Sequence, residues 1–292
     1  MKIAFLIMAH GDWLHLNRLL TALDDEKHVF YVHIDKKVPK PSLCSTKAKL
    51  VFLDNINVWW GGWSVQAAVN ILLKTAAKKG FDYYVLLSGT DYPIRPMSHL
   101  YKRLKEGGEY IELQRGFSPK KPESRIRYYY FDGGNRWNKK SLKTLLYFAL
   151  EILQQKIKFI RKKKYPFETA CFGSMWWALS HDCVEHILQF MQNNPDFVSF
   201  FKTSWCPDES FIHTIIGNSA FFPLCKGSLT YADWSEKRSS PAMINHGHVK
   251  HFVEIMNNDH NFKEHGPFFA RKFDDNSTGL VKEIDAYLRQ QP

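Results

Sequence analysis

Between residues 3 and 87 the chain alternates between two apolar periods, and that alternation limits its possible folds more than any other feature. Residues 3–8 are an unbroken apolar run, Ile-Ala-Phe-Leu-Ile-Met, followed by a turn at His10-Gly11. A strand reads this way when both of its faces are covered. Residues 13–23 then carry Leu14, Leu16, Leu19, Leu20 and Leu23 at three-to-four spacing, the period of a helix with one apolar side. The same reasoning predicts strands over 29–34, 50–53 and 83–87, and a helix over 64–77 with Ser64 as its cap. Strands interleaved with helices in this way imply an α/β fold with a mostly parallel, doubly wound central sheet flanked by helices.

Such sheets bind ligands outside the carboxyl ends of their strands. His10, Asp35, Ser88 and Asp91 each follow one of the predicted strands. Singly, each fits a turn or cap; four in equivalent places outline one rim of a crevice. No Gly-x-Gly-x-x-Gly and no phosphate-loop Gly-x-x-x-x-Gly-Lys is present, which excludes the usual dinucleotide and ATP cradles.

The net charge of +11 favours anionic partners. No helix-turn-helix signature, Cys/His finger or RNA-binding aromatic consensus accompanies it, so nucleic acid is not the expected partner. Phe, Trp and Tyr make up 15% of the chain, a share that serves a core and equally suits stacking on sugar rings and bases. The five cysteines include no Cys-x-x-Cys pair, so neither a zinc site nor a redox motif is written locally. They are expected to be free, buried thiols in a reducing compartment. The N-terminal apolar run is too short to span a membrane and lacks a small-residue cleavage site.

Beyond residue 110 the pattern changes. A strand is predicted over 110–113. Residues 114–140 are polar, basic and aromatic, with Lys120, Lys121, Arg125, Arg127 and Tyr128 to Tyr130 among them, and are expected to form a long surface excursion. A helix is predicted over 142–160, its stripe formed by Leu142, Leu145, Leu146, Ala149, Leu150, Leu153, Ile157 and Ile160, and it ends in Arg161-Lys162-Lys163-Lys164. Two seats are open to that stripe: the core, or an anionic membrane surface that would also attract the basic end. A strand over 175–179, helices over 183–191 and 208–216, a strand over 229–231 and a polar tail to residue 292 complete the reading.

Two segments can carry chemistry. Pro207-Asp208-Glu209 reads as a helix start, where proline and acids both belong. It also reads as a general base, since a carboxylate beside Trp205 and Phe211 is partly desolvated. Arg271 and Lys272, set between aromatics, are either a solvated pair or an anion site able to neutralise charge growing on a leaving diphosphate. No Asp-x-Asp occurs to hold a divalent cation.

Seven segments, in order, resemble the core-2/I-branching β-1,6-N-acetylglucosaminyltransferase family, which includes the peptide O-xylosyltransferases. They are Ile7-Met8-Ala9-His10, His33-Ile34-Asp35-Lys36-Lys37, the stretch from Trp60-Gly61-Gly62-Trp63-Ser64 to Ala67, Leu86 to Ile94 with Ser88-Gly89-Thr90-Asp91-Tyr92-Pro93, Gly173-Ser174-Met175-Trp176-Trp177-Ala178-Leu179, Pro207-Asp208-Glu209-Ser210-Phe211, and Phe269-Ala270-Arg271-Lys272-Phe273. The resemblance implies a GT-A (Rossmann-like) fold in one domain over 1–292, with a nucleotide-binding half (1–107) and an acceptor-binding, catalytic half (108–292). It implies inverting, metal-independent transfer of N-acetylglucosamine or xylose from a UDP-sugar donor to a glycan or lipid-linked saccharide, with no cofactor. Glu209 would be the catalytic base and Arg271 and Lys272 the diphosphate cations. His10, Asp35, Trp63, Ser64 and Asp91 would line the donor site. The basic residue of the family's His-Val-Arg segment has only His248-Val249-Lys250 and Arg238 as counterparts, and residues 112–130 align poorly.

The animal members' membrane anchor, stem and disulfides have no counterpart in this sequence. The expected setting is therefore cytoplasmic and bacterial, peripheral to the inner face of the cell membrane. The competing function is a non-catalytic binding protein that grips an anionic glycan or lipid through residues 114–140.

Overall fold

The computed structural model describes residues 1–131, 142–162, 164–258 and 265–291. Its centre is a five-stranded sheet in the order β3-β2-β1-β4-β8. Strands β1 (Ile3–Ala9), β2 (His28–Ile34), β3 (Lys49–Phe52) and β4 (Tyr83–Ser88) run parallel, in the register Ile3 to His28 and Ile3 to Tyr83. The edge strand β8 (Ala178–Ser180) is antiparallel to β4. This is the α/β, mostly parallel sheet that the alternating periods predict.

Both faces of the sheet are covered, which explains the unbroken apolar runs. Along β1, Ala4 and Leu6 join one core with helix α2 (Trp63–Ala77), while Ile3, Phe5 and Ile7 join the opposite core with helix α1 (Trp13–Ala22). The first core also takes in α6 (His181–Asn193), α7 (Pro195–Phe201) and α8 (Phe211–Gly217). The second receives Leu100 and Leu104 of α3 (Met97–Lys105). Each strand thus supplies two cores by simple alternation of its side chains.

A second sheet stands at the carboxyl end of the first. Its strands are β5 (Asp91–Pro93), β10 (Phe269–Arg271) and β9 (Thr230–Ala232), with β10 central. Helices α9 (His246–Asn258) and α10 (Thr278–Leu288) cover it through Val249, Phe252, Leu280 and Ile284.

Several expectations are corrected here. Residues 110–113 are not a strand: Tyr110 makes one isolated bridge to Ala178, and the short pairing lies further on, between β6 (Gln114–Arg115) and β7 (Cys171–Phe172). Ser64 does not cap α2. It lies inside the first turn, where its hydroxyl accepts from the Trp59 N–H at 2.8 Å, and Gly62 holds the cap position. The helix predicted over 208–216 is broken, because Pro207–Glu209 forms a separate 3₁₀ turn and α8 begins at Phe211. The polar tail holds α9, β10 and α10. The excursion over 114–131 includes a short helix, α4 (Ser124–Arg127), anchored by buried Ile126, and residues 132–140 lie outside the described residues. All five cysteines are free, but Cys44 is exposed and Cys225 half-buried. Among the described residues no helix is long and apolar enough to cross a membrane.

Candidate active site

The strand order turns in opposite directions at β1 and β4, so a crevice opens outside their carboxyl ends. His10 leaves β1 into this crevice, where it feels the charges of Lys272, Asp35, Asp12 and Lys37. Crowding by the crevice wall and then the charge of Lys272 lower its pKa below the usual histidine value. Asp35, at the end of β2, accepts from the Lys37 ammonium at 2.7 Å and the Lys37 N–H at 2.9 Å. Desolvation would raise its pKa, but these contacts outweigh it and hold the carboxylate ionised. Lys37 also stands over the Trp59 ring at 4.4 Å, and the N–H of Trp59 is the group that Ser64 accepts from. The Asp35 and Trp63-Ser64 segments therefore share one wall.

The loop after β4 does not point its acids outward. The Asp91 carboxylate is fully buried; it accepts from the Ser88 N–H at 2.9 Å and faces Arg271 Nε at 3.6 Å. Ser88 is buried too and shares a hydrogen bond with Thr90 at 2.9 Å. Burial raises the Asp91 pKa to about 6 despite Arg271 and the Ser88 amide. The register of β5 against β10 pairs Asp91 directly with Arg271. Arg271 in turn lies over Trp176, 4.3 Å from the ring centroid. Lys272, the next residue, has no ion-pair or hydrogen-bond partner for its ammonium among the described residues, and its charge reaches His10.

Glu209 sits on the 3₁₀ turn that follows Cys206, a non-glycine residue held at φ 47°. The Cys206 N–H donates to Gly61 O at 2.9 Å, and Gly61 (φ 74°) lies flat against Trp205, where a Cβ would meet the indole at 2.5 Å. Trp63 meets Phe211 edge-on at 5.3 Å, so the turn is wedged between the start of α2 and α8. The Glu209 carboxylate receives Arg125 Nη1 on Oε2 at 2.5 Å and Lys121 Nζ on the same oxygen. Among the described residues Oε1 has no partner. Desolvation works to raise the Glu209 pKa, but the two cations prevail and lower it. Its neighbour Asp208 moves the other way, to about 7, through burial and then the charge of Glu209, and its Oδ1 is buried without a hydrogen bond. The two adjacent acids are thus pushed apart, Glu209 held ionised and Asp208 raised to near neutrality.

The segment Gly173-Ser174-Met175-Trp176 joins the two halves of the site. The Gly173 N–H donates to Glu209 O at 3.0 Å, and three residues later Trp176 lies beneath Arg271. Three residues span at most about 11 Å. The structure therefore brings Glu209, Arg271 and Lys272 to one crevice with His10 and Asp35, and sets Asp91 behind Arg271. Sequence reasoning left Lys121 and Arg125 in a surface excursion and gave no part to Trp176 beneath Arg271. Of the two counterparts of the family's remaining cation, Arg238 is exposed beside Glu236 and Lys250 is exposed on α9, while His248 bonds Asp233 at 3.0 Å. Among the described residues, no three His, Cys, Asp or Glu side chains cluster as metal ligands.

Gly173 leaves no room for a side chain, since a Cβ would lie 1.8 Å from Glu112 O. Gly173→Ala is expected to lower the unfolding free energy by about 1–3 kcal/mol or more, because backbone has to move. Urea denaturation checks this, and a variant as stable as the parent would show that the contact relaxes freely.

A model of the Core-2/I-Branching enzyme family matches residues 3–260. Xylosyltransferase 2 of Rattus norvegicus is 26% identical over 97% of this chain and 33% of its own length. The human β-1,3-galactosyl-O-glycosyl-glycoprotein β-1,6-N-acetylglucosaminyltransferase 3 is 24% identical over 71% of this chain and 45% of its own. The β-1,3-galactosyl-O-glycosyl-glycoprotein β-1,6-N-acetylglucosaminyltransferase of Bos taurus is 27% identical over 73% of this chain and 48% of its own. The chain spans between a third and a half of the length of these relatives.

Proposed function

The chain belongs to the core-2/I-branching enzyme family, and we propose that it is an inverting glycosyltransferase that moves N-acetylglucosamine or xylose from a UDP-sugar to a saccharide hydroxyl without a metal ion. The observation that carries this reading is the split pair Asp208/Glu209, held one short backbone segment from Arg271. Lys121 and Arg125 fix Glu209 through Oε2 and leave Oε1 for the acceptor hydroxyl. As that oxygen attacks the anomeric carbon, its proton passes to Glu209 while the bond to the β-phosphate oxygen breaks on the opposite face. A depressed pKa makes Glu209 a weaker base but keeps it ionised, and a hydroxyl that is bonding to carbon gives up its proton readily.

The diphosphate leaves carrying new negative charge. Lys272 meets it from the open side of the crevice, and Arg271, set in place by Asp91 and Trp176, supports it from behind. Cations already in position need no reorganisation during the reaction. His10, Asp35, Trp63 and Ser64 form the wall against which the nucleoside rests.

The test is to incubate the full chain with a panel of UDP-sugars and saccharide acceptors in excess EDTA. We expect UDP to raise the melting temperature and one UDP-sugar to be consumed at an unchanged rate in EDTA. Absence of any UDP effect would favour the glycan- or lipid-binding reading, and full loss in EDTA restored by manganese would overturn metal independence.

A further inference from the structure

The helix α5 (Leu142–Lys156) is amphipathic in the wrong sense for a helix that serves the core. Gln154 and Thr144 are fully buried, while Leu142 is 72% exposed and Leu145, Leu146, Ile152 and Leu153 also face solvent. Phe159, on the 3₁₀ turn just after the helix, is 73% exposed. The inward polar face is well fastened. Gln154 accepts from the Tyr129 N–H at 2.6 Å and donates to Tyr129 O at 3.2 Å. Lys162 is buried with its ammonium on Phe200 O (3.0 Å), Thr203 O (2.9 Å) and Ser204 Oγ (3.0 Å). Turning the leucines inward would pull Gln154 off Tyr129, so the apolar side is built to face outward.

The charges say what covers it. Between residues 142 and 164 the sequence carries seven lysines and arginines against one acid, Glu151. Lys156 at the end of the helix, Lys158 on the turn after it and Lys164 further on are exposed, and Lys163 lies outside the described residues. A second copy would bring a like-charged surface against this one. An anionic bilayer matches both features, taking the apolar side into its acyl boundary and the lysines among its headgroups.

We propose that α5 seats the protein on an anionic membrane surface as an in-plane helix. The same segment that fastens α5 leads to the site, for the Trp205 N–H donates to Arg125 O at 2.7 Å and the Tyr130 N–H to Thr203 O at 2.9 Å. A seated helix therefore holds the Glu209 side of the crevice next to the headgroup layer, where a saccharide carried on a lipid presents its hydroxyls. The seat itself does not depend on the catalytic reading.

Sedimentation with vesicles tests it, using the full chain with phosphatidylcholine alone or mixed with phosphatidylglycerol. Binding to the mixed vesicles is expected, weakened by salt and by Lys156→Ala/Lys158→Ala. Leu146→Glu/Ile152→Glu is expected to cut it about tenfold or more. Both leucine-face positions are exposed, so circular dichroism and the UDP-induced thermal shift are expected to stay unchanged in that variant. No binding to the mixed vesicles, or equal binding by the glutamate variant, would overturn the proposal. So would a dimer in light scattering that the same variant splits, since a second copy would then cover the face. Transfer to a soluble acceptor, measured without vesicles, reports on the catalytic reading separately.

Discussion

Glu209→Gln is expected to reduce the rate of sugar transfer by about 10²–10⁴, the usual contribution of a positioned general base. The amide keeps the size of the side chain and a carbonyl oxygen for Lys121 or Arg125, so the fold and the affinity for UDP should persist. Steady-state rates on the donor and acceptor found by the panel, with a UDP melting shift as control, measure this. Transfer within a few-fold of the parent in a folded variant would remove Glu209 from the role. The pH profile gives a second readout. Because Lys121 and Arg125 lower the Glu209 pKa, the base is ionised down to a lower pH than an ordinary glutamate, and the acid limb of kcat/KM should lie below the usual glutamate value. Lys121→Met/Arg125→Met takes that support away, and the limb should then move up, driven by the burial that now acts unopposed.

Lys121 and Arg125 also show where the sequence stopped being legible. The first half of the fold could be read because strands covered on both faces are apolar runs, and Ile3, Ala4 and Phe5 remain apolar whichever core they enter. The contacts of Glu209 could not, since its partners lie 88 and 84 residues earlier in a stretch whose polarity reads as surface. Strand β5 is three residues ending in proline and reads as a turn; only its register with β10 shows that Asp91 answers Arg271. The period of α5 was legible and its facing was not. A hydrophobic stripe states that one side must be covered but not by what, and here the polar side is the one fastened to the protein. The motif order located Glu209, Arg271 and Lys272, while their electrostatics had to come from the fold.

Arg271 and Lys272 are expected to fail in different ways, and the difference tests the division of labour between them. Lys272 has an open ammonium on the crevice, so Lys272→Ala should leave stability nearly unchanged and lower kcat by about 10²–10³, as loss of one preorganised partner of developing charge does. Arg271→Ala also strips Asp91 of its counter-charge. A fully buried carboxylate left alone costs about 3–5 kcal/mol. The sign of the pH dependence follows from the raised pKa of Asp91, about 6 with Arg271 present and higher without it. A group whose folded pKa is raised destabilises the fold as pH rises through that value, because folding then has to bury the charge. The loss in Arg271→Ala should therefore be largest above about pH 6 and shrink in acid, where protonated Asp91 needs no partner. Adding Asp91→Asn should restore most of the stability without restoring transfer. Urea denaturation at two pH values, beside rates for the single and double variants, separates the outcomes. If Arg271→Ala/Asp91→Asn regains full activity, Arg271 serves only to neutralise Asp91 and Lys272 carries the diphosphate alone.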